Sequence, residues 1–244
     1  MLSSLTELEP HYRRTGEICY SSNGKRGEQI KPLFEDECGA LWIGKHCLPK
    51  NYSRELFALE MTNLLCLPGI NFPSTGRLVV DGIDWQISSY IHPSFEYAKG
   101  DSNFRTLTSA ERQVGILYYL LANVDGNFGN LIKDRSNSLW VFDFEYSCDF
   151  ESYWRLIERG SLKHIRLFMR PGPRRLEDFS EGILRVRALL ESALSSETLF
   201  SIARNVGFRE QSAVYLSSNV TLHARNIEKN LAVLVDAWNA SLKK

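Results

Sequence analysis

The chain has 244 residues, of which 43% are hydrophobic, so it can bury a substantial core as one large domain or two small lobes. Its 29 basic residues balance its 29 acidic residues, which excludes a global field that would draw the protein to nucleic acid or to an anionic membrane. No window approaches the ~18 apolar residues of a membrane span, and the N-terminus lacks the basic start and apolar core of a leader. The sequence therefore predicts a soluble, cytoplasmic protein.

The cysteines are odd in number and scattered, which is typical of reduced thiols in the cytoplasm rather than of a disulfide framework. A zinc cluster of Cys38, His46 and Cys47 is an alternative, but no C-x-x-C spacing supports it. The five cysteines are Cys19, Cys38, Cys47, Cys66 and Cys148.

The first part of the chain has the pattern of short strands joined by turns, which predicts a small antiparallel sheet. The predicted strands cover residues 17–20, 29–34 and 40–43. Gly24 and Gly27 lie between the first two strands, where their backbone N–H groups and the side chain of Lys25 can approach phosphate groups. Two glycines three residues apart are a weak signal, and an ordinary hairpin turn is the alternative.

A lysine and an amphipathic helix follow these strands. Lys45 comes just after an apolar strand, a position from which a lysine can bind nucleotide phosphates while a helix glutamate orients it. Lys31 is the competing lysine. The helix is predicted over residues 53–65, and either Glu55 or Glu60 can reach back to the lysine. These glutamates are five residues apart and face different ways, so at most one of them does so.

A second hairpin, over residues 77–80 and 83–88, is predicted around the turn Asp81-Gly82. The chain then leaves the sheet through Ser89, Tyr90 and Ile91. In a two-lobed nucleotide-binding fold, the backbone of such a connector hydrogen-bonds the adenine. Residues 93–105 are polar and irregular, and they predict a crossing into a second lobe.

The most informative stretch lies in the middle of the chain. A capping-box pattern at Thr108 predicts a helix whose apolar face continues to residue 121. The helix leads to a loop in which Asp125 and Asn130 fit D-x-x-x-x-N. A hairpin predicted over residues 131–142 then returns the chain, so that Asp143 lies next to Asn130. An acid, an amide and a second acid in this order are typical of phosphotransferases. A turn-rich loop without chemistry is the alternative.

The remainder of the chain has helical spacing. The predicted helices cover residues 151–169, 178–194, 197–206 and 222–242.

Residues 16–150 resemble the HipA-like kinases, the bacterial branch related to the phosphatidylinositol 3- and 4-kinases. The resemblance rests on the strand lysine, the helix opening at Glu55, the segment 69–73 and the loop that is followed by Asp143. It implies an α+β, two-lobed protein-kinase-like fold with a small antiparallel β N-lobe and a mainly helical C-lobe. It also implies Lys45 on the phosphates of ATP, with Glu55 orienting that lysine.

The resemblance further implies Asp125 as catalytic base, with Asn130 and Asp143 as Mg²⁺ ligands. The loop of the family commonly reads N-x-D-R-H-x-G-N, whereas here Gly126 and Asn127 replace Arg-His. These positions lie beside the transferred phosphate, so Asn127 is a candidate catalytic residue. The replacement points to an altered substrate, slow turnover or a decayed enzyme.

A second resemblance ranks lower. Residues 141–147 are similar to the I-D-F-E-Y segment of the choline and aminoglycoside kinases. Those families place a His two residues before the Asp, where this chain has Asn123.

Taken together, the patterns predict an N-lobe over residues 1–91 and a C-lobe over residues 92–244, with ATP and Mg²⁺ between them. The expected reaction is transfer of the γ-phosphoryl group to a Ser/Thr hydroxyl of a protein, with a toxin-antitoxin or host protein as a partner to consider. One alternative is a small-molecule or lipid kinase, in which carboxylates near Asp149 and Glu151 favour a cationic alcohol. The other alternative is a pseudokinase that binds without chemistry.

Overall fold

The strands form two sheets in the computed structural model of the chain, which describes residues 12–19, 30–91, 93–96, 108–124, 130–136, 138–159, 173–190 and 192–242. One sheet is antiparallel and five-stranded with the order β1-β2-β3-β6-β5, and the other is four-stranded with the order β4-β9-β8-β7. The strands are β1 (Arg13–Cys19), β2 (Ile30–Glu35), β3 (Leu41–His46), β4 (Ile70–Asn71), β5 (Thr75–Val80), β6 (Ile83–Ser89), β7 (Pro93–Glu96), β8 (Leu131–Asp134) and β9 (Leu139–Val141).

The hairpin of β5 and β6 follows its sequence signal closely. Asp81 and Gly82 both have positive φ angles, 52° and 73°, as a two-residue turn that matches the twist of its strands requires. The other strands of the five-stranded sheet are also present, but β1 begins at Arg13 rather than at residue 17, and β3 ends at His46 rather than at residue 43. Lys45 therefore lies within β3 rather than after it.

Only two strands of the four-stranded sheet, β8 and β9, were predicted from the sequence. The hairpin of β8 and β9 is confirmed, with Leu131 opposite Val141. Strand β4 was not predicted; it has two residues and runs parallel to β9, with Ile70 opposite Leu139. The prediction that residues 93–96 belong to an irregular crossing was wrong, because they pair with β8.

Most of the remaining described chain is helical. The capping box of α2 is confirmed, since the backbone N–H of Glu111 donates to Thr108 and the Thr108 N–H donates to the Glu111 carboxylate. The first helix begins at Pro49 rather than at residue 53, in a position that suits proline because the first turn needs no N–H partner. The helices are α1 (Pro49–Leu65), α2 (Ser109–Leu120), α3 (Phe150–Glu158), α4 (Ser180–Leu189), α5 (Ser196–Asn205), α6 (Glu210–Arg225) and α7 (Ile227–Ser241).

The prediction of one helix over residues 222–242 was wrong. Two helices, α6 and α7, meet at Asn226, whose φ of −100° and ψ of 14° interrupt the helical backbone. The apolar face continues across the break, which is why the spacing alone did not indicate it. The predicted helix over residues 178–194 was also too long, because a 3-10 helix (Leu176–Phe179) precedes α4 and α4 ends at Leu189.

The buried apolar side chains of the described residues form two hydrophobic clusters. The small cluster covers one face of the five-stranded sheet and consists of Phe34, Leu78, Trp85 and Ile87. The large cluster joins α1 to α2, the β8–β9 hairpin and the C-terminal helices. Phe57 of α1 packs edge-on against Phe208, with ring centroids 6.2 Å apart. The first helix, although N-terminal to the predicted lobe boundary at residue 91, thus shares a core with helices that follow it.

A neutral polar cluster, the His223 cluster of Tyr119, Trp154, His223 and Asn230, lies inside the large core. The indole N–H of Trp154 donates to Nε2 of His223 at 2.9 Å, and Nδ1 of His223 lies 3.0 Å from the carbonyl oxygen of Tyr119. An indole nitrogen can only donate, so Nε2 accepts and Nδ1 carries the ring proton. The Tyr119 hydroxyl donates to the His223 carbonyl and accepts from Asn230. Both ring nitrogens of a neutral His223 are therefore satisfied.

Two hairpin turns share one construction, which we name the Asp–Trp turn. In the turn between β2 and β3, the carboxylate of Asp36 accepts from two backbone N–H groups and from the indole of Trp42, at 2.9, 2.9 and 3.0 Å. In the turn between β8 and β9, Asp134 accepts from the equivalent N–H groups and from Trp140, at 2.8, 3.0 and 2.8 Å. Both segments read D-x-x-x-x-L-W.

Among the helices that the structure describes, none is both long enough and apolar enough to traverse a bilayer.

Candidate functional site

Three separate segments of the chain meet at the side chain of Lys45. Its Nζ lies 2.5 Å from Oε1 of Glu55 on α1 and 3.2 Å from Oδ1 of Asp143, which follows β9. It also lies 3.7 Å from Oε2 of Glu145. We call these four residues the Lys45 cluster. A strand, a helix and the end of a hairpin thus converge on one ammonium group.

The sequence left two lysines and two glutamates as candidates for this contact, and the structure brings Lys45 and Glu55 together. Glu55 lies on the buried side of α1 and is 9% exposed. Lys31 lies on β2, opposite Ile18 of β1. Glu60 lies on α1 and is partly exposed. The predicted roles of Lys45 and Glu55 toward a nucleotide remain predictions.

The Lys45 cluster carries excess negative charge, since three carboxylates surround one ammonium group and give a formal charge of −2. Burial alone would lower the pKa of Lys45, but the carboxylate of Glu55, followed by those of Asp143 and Glu145, raises this pKa above its ordinary value. Burial raises the pKa of Glu55, although Lys45 opposes that effect. The cluster therefore keeps Lys45 charged and favours a further cation.

The β8–β9 hairpin positions Asp143. The backbone N–H of Phe142 donates to the carbonyl of Asn130 at 3.2 Å, so the start of the hairpin is next to its end, as the sequence predicts. Asp143 has a φ of 66°, in the left-handed region that Asp tolerates better than most residues. This backbone conformation directs the chain from the sheet toward α1.

Glu145 connects the segment after β9 to α1, and no role in the site was predicted for it. The Asn51 side-chain amide donates to Oε2 of Glu145 at 3.2 Å, and the Arg54 guanidinium donates to its carbonyl oxygen at 2.8 Å. The available signal was a second acid two residues after Asp143, but only the fold shows that it faces Lys45.

The start of the central loop is fixed by the segment that follows Glu145. Asn123, which is 1% exposed, donates through its side-chain amide to Oγ of Ser147 at 3.0 Å. The N–H of Cys148 donates to the Leu121 carbonyl at 2.6 Å. Leu121 and Asn123, which precede Asp125, are thereby held against the segment that follows Asp143. Several predicted site residues lie outside the described part of the chain, namely Gly24, Lys25, Gly27, Asp125 and Asn127.

The connector residues lie at the end of β6. The N–H of Ser89 donates to Ser74 and that of Tyr90 donates to Leu41, each at 2.8 Å. Both backbone N–H groups are therefore used within the protein, and adenine contacts by this connector remain a prediction. Ile91 is partly buried.

The described residues contain no group of three or more His, Cys, Asp or Glu side chains placed to hold a metal ion. Magnesium rarely needs such a group, because it is usually bound by one or two carboxylates together with substrate phosphates. Asn130 and Asp143 stand close to the two ends of one hairpin, which a backbone bond holds together, and their side chains carry an amide oxygen and a carboxylate that would suit such an ion. Binding of Mg²⁺ remains a prediction. Cys38, Cys47, Cys66 and Cys148 are free thiols.

No family model matches the chain, and no curated protein matches it either. Among solved structures it is similar to the Helicobacter pylori proinflammatory kinase CtkA, with 12% identity, 87% of this chain and 95% of that chain covered, and a TM-score of 0.50. It is also similar to an N-terminal 618-residue fragment of LepB from Legionella pneumophila, with 13% identity and a TM-score of 0.50. That match covers 83% of this chain and 46% of the LepB fragment. An aminoglycoside phosphotransferase from Alicyclobacillus acidocaldarius has 11% identity, with 94% of this chain and 93% of that chain covered, but a TM-score of only 0.34.

At these identities the similarity concerns the fold. The chain has the α+β, protein-kinase-like fold predicted from its sequence, with a small antiparallel β N-lobe and a mainly helical C-lobe. The narrower resemblance to HipA-like kinases rests on the sequence motifs alone.

Proposed function

We propose that the protein is an ATP-dependent phosphotransferase. The observation that carries the proposal is the Lys45 cluster, in which a strand lysine is paired with a helix glutamate and with the acid that follows the β8–β9 hairpin. This combination suits a polyphosphate and its metal, because the ammonium attracts phosphate oxygens and the excess carboxylates attract a divalent cation. The fold, which is similar to that of the H. pylori kinase, supports the same reaction class.

The residues of this chain then have distinct tasks. Lys45 binds phosphate oxygens and Glu55 holds the ammonium in place. Asp125 accepts the proton of the attacking hydroxyl, while Asn130 and Asp143 hold Mg²⁺. When bound, the metal ion neutralises charge on the transferred phosphoryl group. The protein contributes position and electrostatic stabilisation, which account for most of the catalysis in phosphoryl transfer.

We further propose that the acceptor is a Ser/Thr hydroxyl of a protein. The sequence feature that favoured a cationic alcohol was the pair of acids at Asp149 and Glu151. In the structure Asp149 caps α3 by accepting from the backbone N–H of Ser152 at 3.2 Å, and Glu151 pairs with Arg155 on the helix surface. Both carboxylates have local partners, so they offer little support for an amino-alcohol site.

The first test is thermal unfolding with and without ATP and Mg²⁺. Ligand at about 100 times its dissociation constant should stabilise the wild type by about 2.7 kcal/mol. Asp143→Asn should lose the Mg²⁺-dependent part of the shift, whereas Glu151→Gln, an exposed acid on α3, should keep it. No shift in the wild type would contradict the proposal.

The second test is transfer of labelled phosphate from ATP to protein. Incorporation by the wild type that Asp125→Ala abolishes would support a protein kinase. Equal incorporation by the two proteins would contradict the role of Asp125. Binding of ATP without any transfer would leave the pseudokinase alternative.

A further inference from the structure

Gln86 is a buried polar residue to which the proposed mechanism gives no task. It lies in the middle of β6 and is 1% exposed. Neither its amide oxygen nor its amide nitrogen has a hydrogen-bond partner in the part of the chain that the structure describes. A buried amide with two unsatisfied atoms is costly, so it calls for a specific explanation.

The strand register places this amide beside the Lys45 cluster. Gln86 lies directly opposite Lys45 of β3 and directly opposite Arg77 of β5. Opposite residues of an antiparallel pair project from the same face, with Cβ atoms about 4.5–5.5 Å apart. Arg77 already makes a two-pronged ion pair with Asp84, at 2.8 and 2.5 Å. Lys45 is therefore the cross-strand neighbour that connects Gln86 to the Lys45 cluster.

The chemistry of the three side chains is complementary. The Lys45 ammonium has only donors and the Glu55 carboxylate has only acceptors, whereas a glutamine amide has one acceptor and one donor group. Gln86 can thus bond to both at the same time. A leucine, a methionine or a charged residue at this position cannot.

We propose that Gln86 is a positioning residue that holds Lys45 and Glu55 in the nucleotide-bound protein. Phosphate groups draw the Lys45 ammonium away from Asp143 and Glu145. The amide oxygen of Gln86 then accepts from Lys45, and its amide nitrogen donates to Glu55. A network across β3, β6 and α1 replaces the contacts that Lys45 gives up. This inference rests on the proposed function, since it assumes that phosphates bind at Lys45.

The experiment compares ATP·Mg²⁺ binding and unliganded stability in Gln86→Leu and the wild type. We expect the dissociation constant for ATP·Mg²⁺ to rise by at least about tenfold, because hydrogen bonds to two charged groups are lost. We expect the unliganded variant to be as stable as the wild type or more stable, because an unsatisfied amide is removed. A purely structural role would lower unliganded stability and leave the affinity unchanged.

Gln113→Leu is the matched control. Gln113 is also a buried glutamine, 2% exposed, with an amide oxygen that has no partner in the described chain, but it lies on α2 beside Gly182 of α4. Its variant should bind ATP·Mg²⁺ like the wild type. Equal weakening in both variants would overturn the inference.

The remaining outcomes also decide the matter. If Gln86→Leu binds ATP·Mg²⁺ with unchanged affinity, the inference fails while the proposed function stands. If the wild type itself does not bind, both fail. Gln86→Met keeps the unbranched shape and serves if the leucine variant does not fold. If neither variant folds, Gln86 is a structural residue and the inference is overturned.

Discussion

The Lys45 cluster and the His223 cluster are both polar groups that are at least partly buried, yet their charges and hydrogen bonds are balanced differently. The His223 cluster is neutral, and both ring nitrogens of its histidine have partners of the required kind. The Lys45 cluster has three carboxylates around one ammonium and borders an amide that lacks hydrogen-bond partners among the described residues. A complete neutral network stabilises one conformation, whereas an incomplete charged one is suited to a ligand.

The pKa values follow the same division. Burial lowers the pKa of His223 to about 4, although its bond to the Tyr119 backbone opposes the effect. Protonation would add a proton to Nε2, and the resulting N–H would face the indole N–H of Trp154, which is also a donor. Lys45, by contrast, is kept charged by its carboxylates. The fold therefore excludes charge at one cluster and maintains it at the other.

The largest expected effect is that of Lys45→Met. It leaves Glu55 buried without its cation, and loss of one partner of a buried ion pair typically costs about 3–5 kcal/mol. Burial already raises the pKa of Glu55, so the variant should regain stability as the pH falls and Glu55 binds a proton. Urea unfolding at pH 8 and pH 5 measures both effects. A variant as stable as the wild type at pH 8 would contradict the account of this cluster.

A somewhat smaller loss of folding stability is expected when the pH is lowered and His223 is protonated. The folded-state pKa of His223 is about 4, against 6.5 for an ordinary histidine, so the unfolded chain binds the proton first. The contribution of His223 is fully present above pH 6.5 and is lost as the pH falls toward 4, by about 3 kcal/mol in total. Unfolding free energies between pH 8 and pH 4 should show this slope in the wild type, and His223→Gln should show less of it.

Trp154→Phe should lower folding stability by less, and it tests whether the indole N–H helps to keep His223 neutral. It removes one hydrogen bond, at a cost of about 1 kcal/mol, and frees Nε2 of His223 to accept a proton. The pKa of His223 should then rise, which an NMR titration of its ring protons can follow. An unchanged pKa in this variant would show that the indole N–H does not oppose protonation.

The smallest change in stability is expected for Glu55→Gln. The substitution removes a carboxylate whose charge is disfavoured by burial, while Asp143 and Glu145 still neutralise Lys45, so stability should change by less than about 1 kcal/mol. Binding of ATP·Mg²⁺ should nevertheless weaken, because Lys45 loses its nearest partner. Thermal unfolding and titration with ATP·Mg²⁺ on one preparation separate the two effects. Loss of several kcal/mol would show that Glu55 is mainly structural.

Features coded by neighbouring residues could be predicted from the sequence. The capping box of α2, the Asp81-Gly82 turn and the β8–β9 hairpin each depend on a few consecutive residues. Features that depend on distant pairing could not be. Strand β4 has only two residues, and its partner lies some seventy positions away, at Leu139.

The residues of the candidate site also fall into two groups, those that the sequence predicted and those that only the fold shows. The spacing of strand, helix and hairpin indicated Lys45, Glu55 and Asp143, because each residue stands next to a recognisable element. Glu145 and Gln86 carried no such signal. Their relevance comes from a side-chain contact with Lys45 and from strand register, respectively, and both depend on the assembled fold.

The Asp–Trp turns have a consequence for the order of folding. Each turn closes within seven residues, using bonds that need no partner from elsewhere in the chain. Loops of this length close fast, and structures built from local contacts form before those that depend on distant ones. We therefore expect the hairpin between Asn130 and Asp143 to be among the first parts to form, with mutations at Trp140 slowing folding more than they speed unfolding. The two residues proposed to hold the metal would then be neighbours early, before Lys45 and Glu55 reach them.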